Sequence, residues 1–365
     1  MARLRVAVLF GGRSGEHAVS VQSARSVVAA LDRSRYEVVA VGITREGRWV
    51  SGPDPEAVLE AMARGETGHL RSCPLVPEPG HPANPPVDVV FPVLHGPLGE
   101  DGTVQGVLEL AELPYVGAGV AASAVGMDKA LMKAVFRAAG LPQVAYRVVR
   151  RWEWASRSGQ LAEELLGQLG LPLFVKPANL GSSVGVRRVD RAQELGSAVE
   201  EAFRYDRKVL VEKSAAPLRE IECSVLGNDE AQVSLPGEVV PGRDFYDYQA
   251  KYHDPGTRLV VPAPLEAPVV RRLQELAEAA FFAVDACGMA RVDFFLRPDG
   301  QVLVNEINTI PGFTAVSMYP KLWEASGLSY SRLLDRLIEL ALERHRQRLQ
   351  LRRAHVEFRP EGGPP

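Results

Sequence analysis

The first 117 or so residues alternate apolar runs of β character with helical patterns, and this alternation is the tightest constraint on the fold of the chain. "LRVAVLFGG" is a continuous apolar run ended by glycines, which reads as a strand buried on both faces. "EHAVSVQSARSVVAALD" carries the helical period. "YEVVAVGIT" is a second strand, "EAVLEAMARG" a short helix and "VDVVFPVLHG" a third strand. Strands joined through helices run parallel, so an N-terminal doubly wound parallel α/β sheet is expected. The Pro-rich "CPLVPEPGHPANPP" reads as a surface loop within it.

Further units follow. "DKALMKAVFRAAG" is a helix, and "LPLFVKPANLGSSVGVRRV" and "KVLVEK" supply strands of a second unit. A third begins near Arg219 with "EIECSVLG" and passes through an aromatic-rich loop over 235–264. It continues with the helix "APVVRRLQELAEAAFFAVDA" and a hairpin, and "SRLLDRLIELALERHRQRLQ" forms a C-terminal amphipathic helix. At 365 residues, 46% of them hydrophobic, the chain has material for two or three cores. The net charge of −3 leaves no electrostatic footprint for nucleic acid or an anionic membrane. Cys73, Cys223 and Cys287 are scattered, as expected of thiols in a reducing compartment. The opening run reads as a first strand rather than a signal peptide, and no segment approaches the roughly 18 apolar residues of a membrane span. A cytoplasmic protein is expected.

The hairpin "RVDFFLRPDGQVLVNEIN" poses an electrostatic problem. Centring a turn on Asp299-Gly300 places Asp293 opposite Glu306 and Arg291 opposite Asn308, all on one face. Facing carboxylates destabilise a sheet unless a cation lies between them. The apolar neighbours Val292, Phe294, Val304 and Ile307 predict a buried sheet, where such a pair needs a partner or a shifted pKa. Two carboxylates and an amide oxygen are hard ligands suited to magnesium on nucleotide phosphates. Solvated surface acids are the alternative.

"FVKPANLGSSVGV" reads either as a plain Gly-Ser turn or as a phosphate cradle. In the second reading Lys176 supplies charge and Gly181-Ser182-Ser183 supplies backbone N–H groups. No Gly-Lys dipeptide is present, which excludes a Walker P-loop. "YVGAGVAAS" nearly matches a dinucleotide fingerprint but lies far from the first strand, so it reads as a turn into a helix. In "FGGRSGEH", Glu16 would repel a pyrophosphate and suits an ammonium group. His95, in "LHGPLGEDG", follows another strand of the same sheet and is expected at the same edge.

With these motifs in hand, the chain resembles the D-alanine–D-alanine ligases of the ATP-grasp superfamily. "GGRSGEH", "HGPLGEDG", "MDK", "KPANLGSSVG", "YDYQAKY", "RVDFF" and "NEINTIPGFT" occur in that family's order, over residues 4 to 345. The resemblance implies a three-domain ATP-grasp fold. Its parts would be an N-terminal α/β (pre-ATP-grasp) substrate domain over 1–120 and a central subdomain over 121–216. A C-terminal subdomain would span 217–347 with 235–264 as lid, and 348–365 would be a frayed tail.

By motif match, Lys129 and Lys176 would contact ATP phosphates, and Glu212, Lys213 and Glu220 would hold the nucleotide, with Phe245 near the adenine. Ser182 and Ser183 would lie over the phosphates. Asp293, Glu306 and Asn308 match ligands of two Mg²⁺ ions, for which Mn²⁺ can substitute. Glu16 would receive the first D-alanine's ammonium group near His95, and Lys251, Ser317 and the Met318 backbone the second D-alanine's carboxylate. Arg291 and the Gly312 N–H would stabilise an oxyanion, and Tyr252 would close the lid with Ser182 and Glu16. The implied activity is ATP-dependent dipeptide synthesis for peptidoglycan precursors, by a homodimer.

One departure is Ala18, where many relatives carry a second acidic residue. D-Ala–D-lactate or D-Ala–D-Ser ligation is the nearest alternative, against which Tyr252 in "KYHD" argues. A dehydrogenase would leave the acidic hairpin unexplained, and a non-catalytic ATP-grasp protein would be expected to lose Arg291, Asp293 or Glu306.

Overall fold

The computed structural model describes residues 3–182, 184–242, 256–314 and 316–351. Three sheets form within them. In the first, Leu4–Gly11 lies between Tyr36–Ile43 and Val89–Pro92 and pairs parallel with both. Val6, Val8 and Phe10 enter the core under the helices His17–Ala30 and Pro55–Arg64, and Ala7 and Leu9 the core under Thr103–Leu110. None of these five is more than 2% exposed. A central strand covered on both faces must read as an unbroken apolar run, which is how this one was legible.

The sheet is not wholly parallel. Trp49–Ser51 and Arg71–Ser72 extend its Tyr36–Ile43 edge antiparallel. A turn in which Thr44 N–H donates to Arg48 O at 2.9 Å, with Gly47 at φ +91°, sends the chain back. Strands of two and three residues are too short to show a period. The final helix, Tyr330–Gln350, returns to this domain's core through Leu333, Leu334, Leu337, Ile338 and Ala341. Asp335 on that helix accepts from Tyr36 Oη at 2.9 Å and pairs with Arg35.

The second sheet orders Tyr146–Arg150, Lys208–Lys213, Leu173–Pro177 and Arg187–Val189, all antiparallel. The helices Arg151–Leu169 and Leu195–Ala202 share one core with it. The third sheet orders Arg258–Val260, Gly237–Val240, Arg219–Gly227, Gly288–Leu296 and Val302–Asn308, with Ala231–Val233 alongside Arg219–Gly227. The helix Ala267–Ala283 covers it with Leu273, Leu276, Ala277, Ala280 and Phe281, one helical stripe. Two of these strands, Gly237–Val240 and Arg258–Val260, fall inside the segment 235–264 read as a loop. Flanking Pro and Gly residues conceal such short strands from a pattern reading.

The acidic hairpin reaches its expected register through two compensating shifts. Its turn is a three-residue loop, Pro298-Asp299-Gly300, and not the expected two-residue one. Arg297 N–H donates to Gln301 O at 2.9 Å, Gly300 N–H to Arg297 O at 3.0 Å, and Gly300 takes φ +82°. Proline followed by a left-handed glycine favours this turn. It sets Leu296 opposite Val302, one residue out of step. A bulge at Asn305 restores the step, so Asp293 faces Glu306 and Arg291 faces Asn308 as expected. No helix among the described residues is long and apolar enough to cross a membrane.

Candidate active site

A cleft of about 730 Å³ opens between the three sheets. Its first wall comes from loops at the carboxyl edge of the N-terminal sheet, which is where ligands bind in open α/β sheets. Gly11 and Gly12, at φ +93° and +95°, turn the chain out of the first strand. A Cβ on Gly11 would lie 2.3 Å from Ile43 O, so only glycine fits there. Ser20 Oγ accepts from Gly11 N–H at 2.8 Å and donates to Val93 O at 2.6 Å, tying two strand ends together. Glu16 follows, just before the helix His17–Ala30.

Ser182 Oγ donates to Glu16 Oε1 at 2.5 Å, joining the Gly-Ser loop to the N-terminal wall. Two glycines leave room for that carboxylate: a Cβ would lie 2.7 Å from Glu16 Oε2 at Gly96 and 3.4 Å from it at Gly181. His95 is buried, with Nδ1 3.1 Å from Ile310 O and Nε2 3.0 Å from Ser23 Oγ. A carbonyl only accepts, so the neutral ring carries its proton on Nδ1. Glu100, which the sequence reading did not single out, lies 3.6 Å from the same Nδ1. Burial pushes its carboxyl above the usual range; His95 opposes this and Glu16 adds to it.

The second wall carries the cations. Asp128 caps the helix Lys129–Ala138, accepting from Ala130 and Leu131 N–H, and pairs with Lys208. This cap aims Lys129 across the cleft, where Nζ donates to Leu180 O at 2.8 Å and lies 3.4 Å from Glu306. Asn179 is anchored to Asp206 through both its backbone N–H and its amide, so the Gly-Ser loop has a fixed root. Behind it, Lys176 Nζ lies 2.7 Å from Glu212, whose other oxygen is 3.0 Å from Lys133. Burial would raise Glu212, but Lys133 and Lys176 outweigh it and hold the carboxyl below its ordinary range. Lys133 is wholly buried, and burial lowers its pKa against the pull of Glu212.

The third wall is the acidic hairpin. Arg291 forks onto Asp293, with Nε and Nη2 each 2.7 Å from a carboxylate oxygen, and Nε is 3.0 Å from Glu222. Burial works against the guanidinium charge, but Asp293 and Glu222 outweigh it and raise its pKa well above the ordinary value. Protein cations thus occupy the acidic face: Arg291 at Asp293 and Lys129 at Glu306. Asn308 Oδ1 accepts from Ile310 N–H at 3.1 Å. At the far end Ser317 Oγ accepts from Thr314 N–H at 3.0 Å, and a Cβ on Gly312 would lie 2.8 Å from that Oγ. Met318 begins the helix Met318–Ala325 and lines the cleft.

Glu16, His95, Lys129, Ser182, Arg291, Glu306, Asn308, Gly312, Ser317 and Met318 therefore share one cleft. Asp293 joins it through Arg291, while Lys176 and Glu212 sit in the ion cluster around Lys133. Lys213 is exposed, and Glu220 is half-buried on the strand Arg219–Gly227; neither lines this cleft. Ser183, Phe245, Lys251 and Tyr252 lie outside the described residues. Sequence reasoning missed Glu100, Lys133 and Glu222. Lys133 stands one helical turn after Lys129, and Glu222 alternates with Glu220 on one strand face, so both carried a periodic signal.

Comparison with known proteins supplies the family. Residues 5–118 match the family model described as D-ala D-ala ligase N-terminus, and residues 135–339 the one described as D-ala D-ala ligase C-terminus. A D-alanine--D-alanine ligase of Heliobacterium modesticaldum is 51% identical over 359 residues, covering 95% of this chain and 97% of the relative. The solved D-alanine-D-alanine ligase of Coxiella burnetii superposes with a TM-score of 0.84 at 42% identity, covering 95% of this chain and 97% of that one. The VanG D-Ala:D-Ser ligase of Enterococcus faecalis superposes with a TM-score of 0.84 at 36% identity, covering 93% and 100%.

Proposed function

The chain belongs to the D-alanine–D-alanine ligase family, and from that membership and the charge layout of the cleft we propose how it joins two D-alanine molecules at the expense of ATP. The observation that carries the reading is the meeting of Glu16, Lys129 and the acidic hairpin in one cleft, with Lys176 held in the ion cluster around Lys133. Glu16 takes the first D-alanine's ammonium group and turns its carboxylate toward the γ-phosphate of ATP. Attack gives an acyl phosphate and ADP, with Lys129 and Lys176 drawing charge from the phosphates. The second D-alanine is held by its carboxylate at Ser317, Lys251 and the Met318 backbone. Its amine attacks the acyl carbon, Arg291 and the Gly312 N–H receive the oxyanion, and phosphate departs. The product is a peptidoglycan precursor.

Asp293, Glu306 and Asn308 would hold two Mg²⁺ ions, or Mn²⁺ in their place, which when bound neutralise phosphate charge. The donor set fits hard cations. Among the described residues no group of three His, Cys, Asp or Glu gathers into a metal site; the donors assigned here are two carboxylates and an amide. Glu212, Lys213, Glu220 and Phe245 are assigned to the nucleotide, and Ser182, Ser183 and Tyr252 to closure over the acyl phosphate, which water would destroy. Domains dividing near 120 and 216, a C-terminal subdomain to 347 and a cytoplasmic homodimer complete the proposal, on the resemblance. The test is ADP release with ATP, Mg²⁺ and D-alanine, D-serine or D-lactate, with products identified by mass. D-Alanyl-D-alanine as main product is expected; a mixed D-Ala–D-Ser product would favour the second reading that the VanG likeness allows.

A further inference from the structure

Three carboxylates stand in one row across adjacent strands of the third sheet. Glu222 pairs with Asp293, and Asp293 pairs with Glu306. Arg291, only 6% exposed, is shared between the first two: Nε lies 2.7 Å from Asp293 Oδ1 and 3.0 Å from Glu222 Oε2. Glu222 is 8% exposed, lines the cleft, and has no part in the reaction described above. Asp293 is asked to do two things, since it holds Arg291 here and is also the hairpin's candidate metal ligand. A divalent cation drawing on its carboxylate would compete with the guanidinium fork for the same two oxygens. A guanidinium this deeply buried needs another carboxylate, because an unpaired buried charge is strongly destabilising.

We propose that Glu222 is a positioning residue that retains Arg291 when a divalent cation takes Asp293, keeping the guanidinium in the cleft to face the acyl oxyanion. The inference rests on the ligase reading. It gives the shared geometry a direction, with Arg291 passing from joint custody to Glu222 as the metal arrives. Without the Glu222 charge, Arg291 would be left to Asp293 alone and would compete harder with the metal for it.

The test is a double-mutant cycle read by calorimetry: binding of ADP as Mg²⁺ is titrated, in the wild type, Glu222→Gln, Arg291→Met and the double variant. Glu222→Gln is expected to raise the Mg²⁺ concentration at half-saturation about tenfold, the scale of coupling within one ion-pair network. In the Arg291→Met background the same change is expected to shift nothing further. An unmoved Mg²⁺ dependence in Glu222→Gln would overturn the proposal. So would an equal shift in the Arg291→Met background, since Glu222 would then act on the metal directly. If thermal unfolding shows that Glu222→Gln does not fold, Glu222→Asp takes its place in the cycle with a smaller expected shift. A wild type that binds ADP with Mg²⁺ but forms no dipeptide would count against the ligase reading alone, because the cycle reads binding.

Discussion

Asp293 and Glu306 face each other directly across an antiparallel pair, yet a different cation attends each: Arg291 forks onto Asp293, and Lys129 reaches Glu306 at 3.4 Å. The like-charge contact is therefore bridged by the protein's own charges, and the sign of its contribution to stability changes. Taken alone, facing carboxylates predict that neutralising one of them relieves strain. With the fork present, Asp293→Asn removes a charged acceptor from a buried guanidinium.

Asp293→Asn should accordingly lower stability in the absence of divalent cations by about 1–3 kcal/mol, the cost of weakening charge-assisted hydrogen bonds at a buried group. Dipeptide synthesis should fall by orders of magnitude. Thermal unfolding in a chelator, beside the dipeptide assay, checks both halves. A melting temperature equal to or above that of the wild type would mean that the fork gives no net stability.

Lys176→Met should weaken ATP binding at least tenfold, because a positive charge beside the Gly-Ser loop is lost. The variant should also be less stable, since Glu212 would keep only Lys133. Calorimetric titration with ATP separates the two effects. Unchanged affinity in a folded variant would remove Lys176 from the phosphate site.

Sequence pattern reveals most where one physical rule acts alone. Leu4–Gly11 is legible because both of its faces are covered, and the Leu273–Phe281 stripe because one helix face is. The facing of Asp293 and Glu306 is also legible, but through cancellation: a three-residue turn moves the register and the Asn305 bulge moves it back. What stays hidden is what distant segments supply. Glu222 reads as one more polar residue of a strand until the neighbouring strand brings Arg291 to it, and Lys133 as a surface lysine until Glu212 and Lys176 enclose it. Glu100 gains its meaning from His95, held in turn by Ser23 and by Ile310 from the far end of the chain.

Ser182 offers a test of the loop that bridges to Glu16. It takes φ +51°, a left-handed conformation that a side chain adopts at some cost, and it donates to Glu16 at 2.5 Å. Ser182→Ala and Ser182→Gly both lose that hydrogen bond, and both should raise KM for the first D-alanine. Glycine alone relieves the backbone, by about 1 kcal/mol. Ser182→Gly should therefore melt no lower than Ser182→Ala while sharing its kinetic defect. A lower melting temperature for the glycine variant would show that the left-handed backbone is not a source of strain here.

The Lys133–Glu212–Lys176 cluster should set a pH dependence of stability with a definite sign. Glu212 has an ordinary value of 4.5; burial would raise it, but the two lysines together bring it below that. A carboxyl depressed in the folded state stabilises above its unfolded value, and the contribution is lost as pH falls through the folded one. Wild-type stability should thus decline below about pH 4.5 partly through this group. In Glu212→Gln that part of the slope should vanish. At pH 7 the variant should be destabilised by about 3 kcal/mol, because Lys133 is left buried without its carboxylate. Lys133 adds an opposite slope. Its pKa is lowered by burial, with Glu212 pulling it back up, so removing Glu212 lowers it further. A lysine depressed in the folded state costs stability while charged, and the cost fades as pH rises toward its ordinary 10.5. Glu212→Gln should therefore regain stability from neutral to alkaline pH. Adding Lys133→Met should restore much of the loss at pH 7 and flatten the alkaline rise. Urea unfolding at several pH values from 2 to 10 checks the whole pattern, at roughly tenfold in the unfolding constant per 1.4 kcal/mol. A parallel offset of Glu212→Gln from the wild type at every pH would show that the cluster does not titrate as a unit.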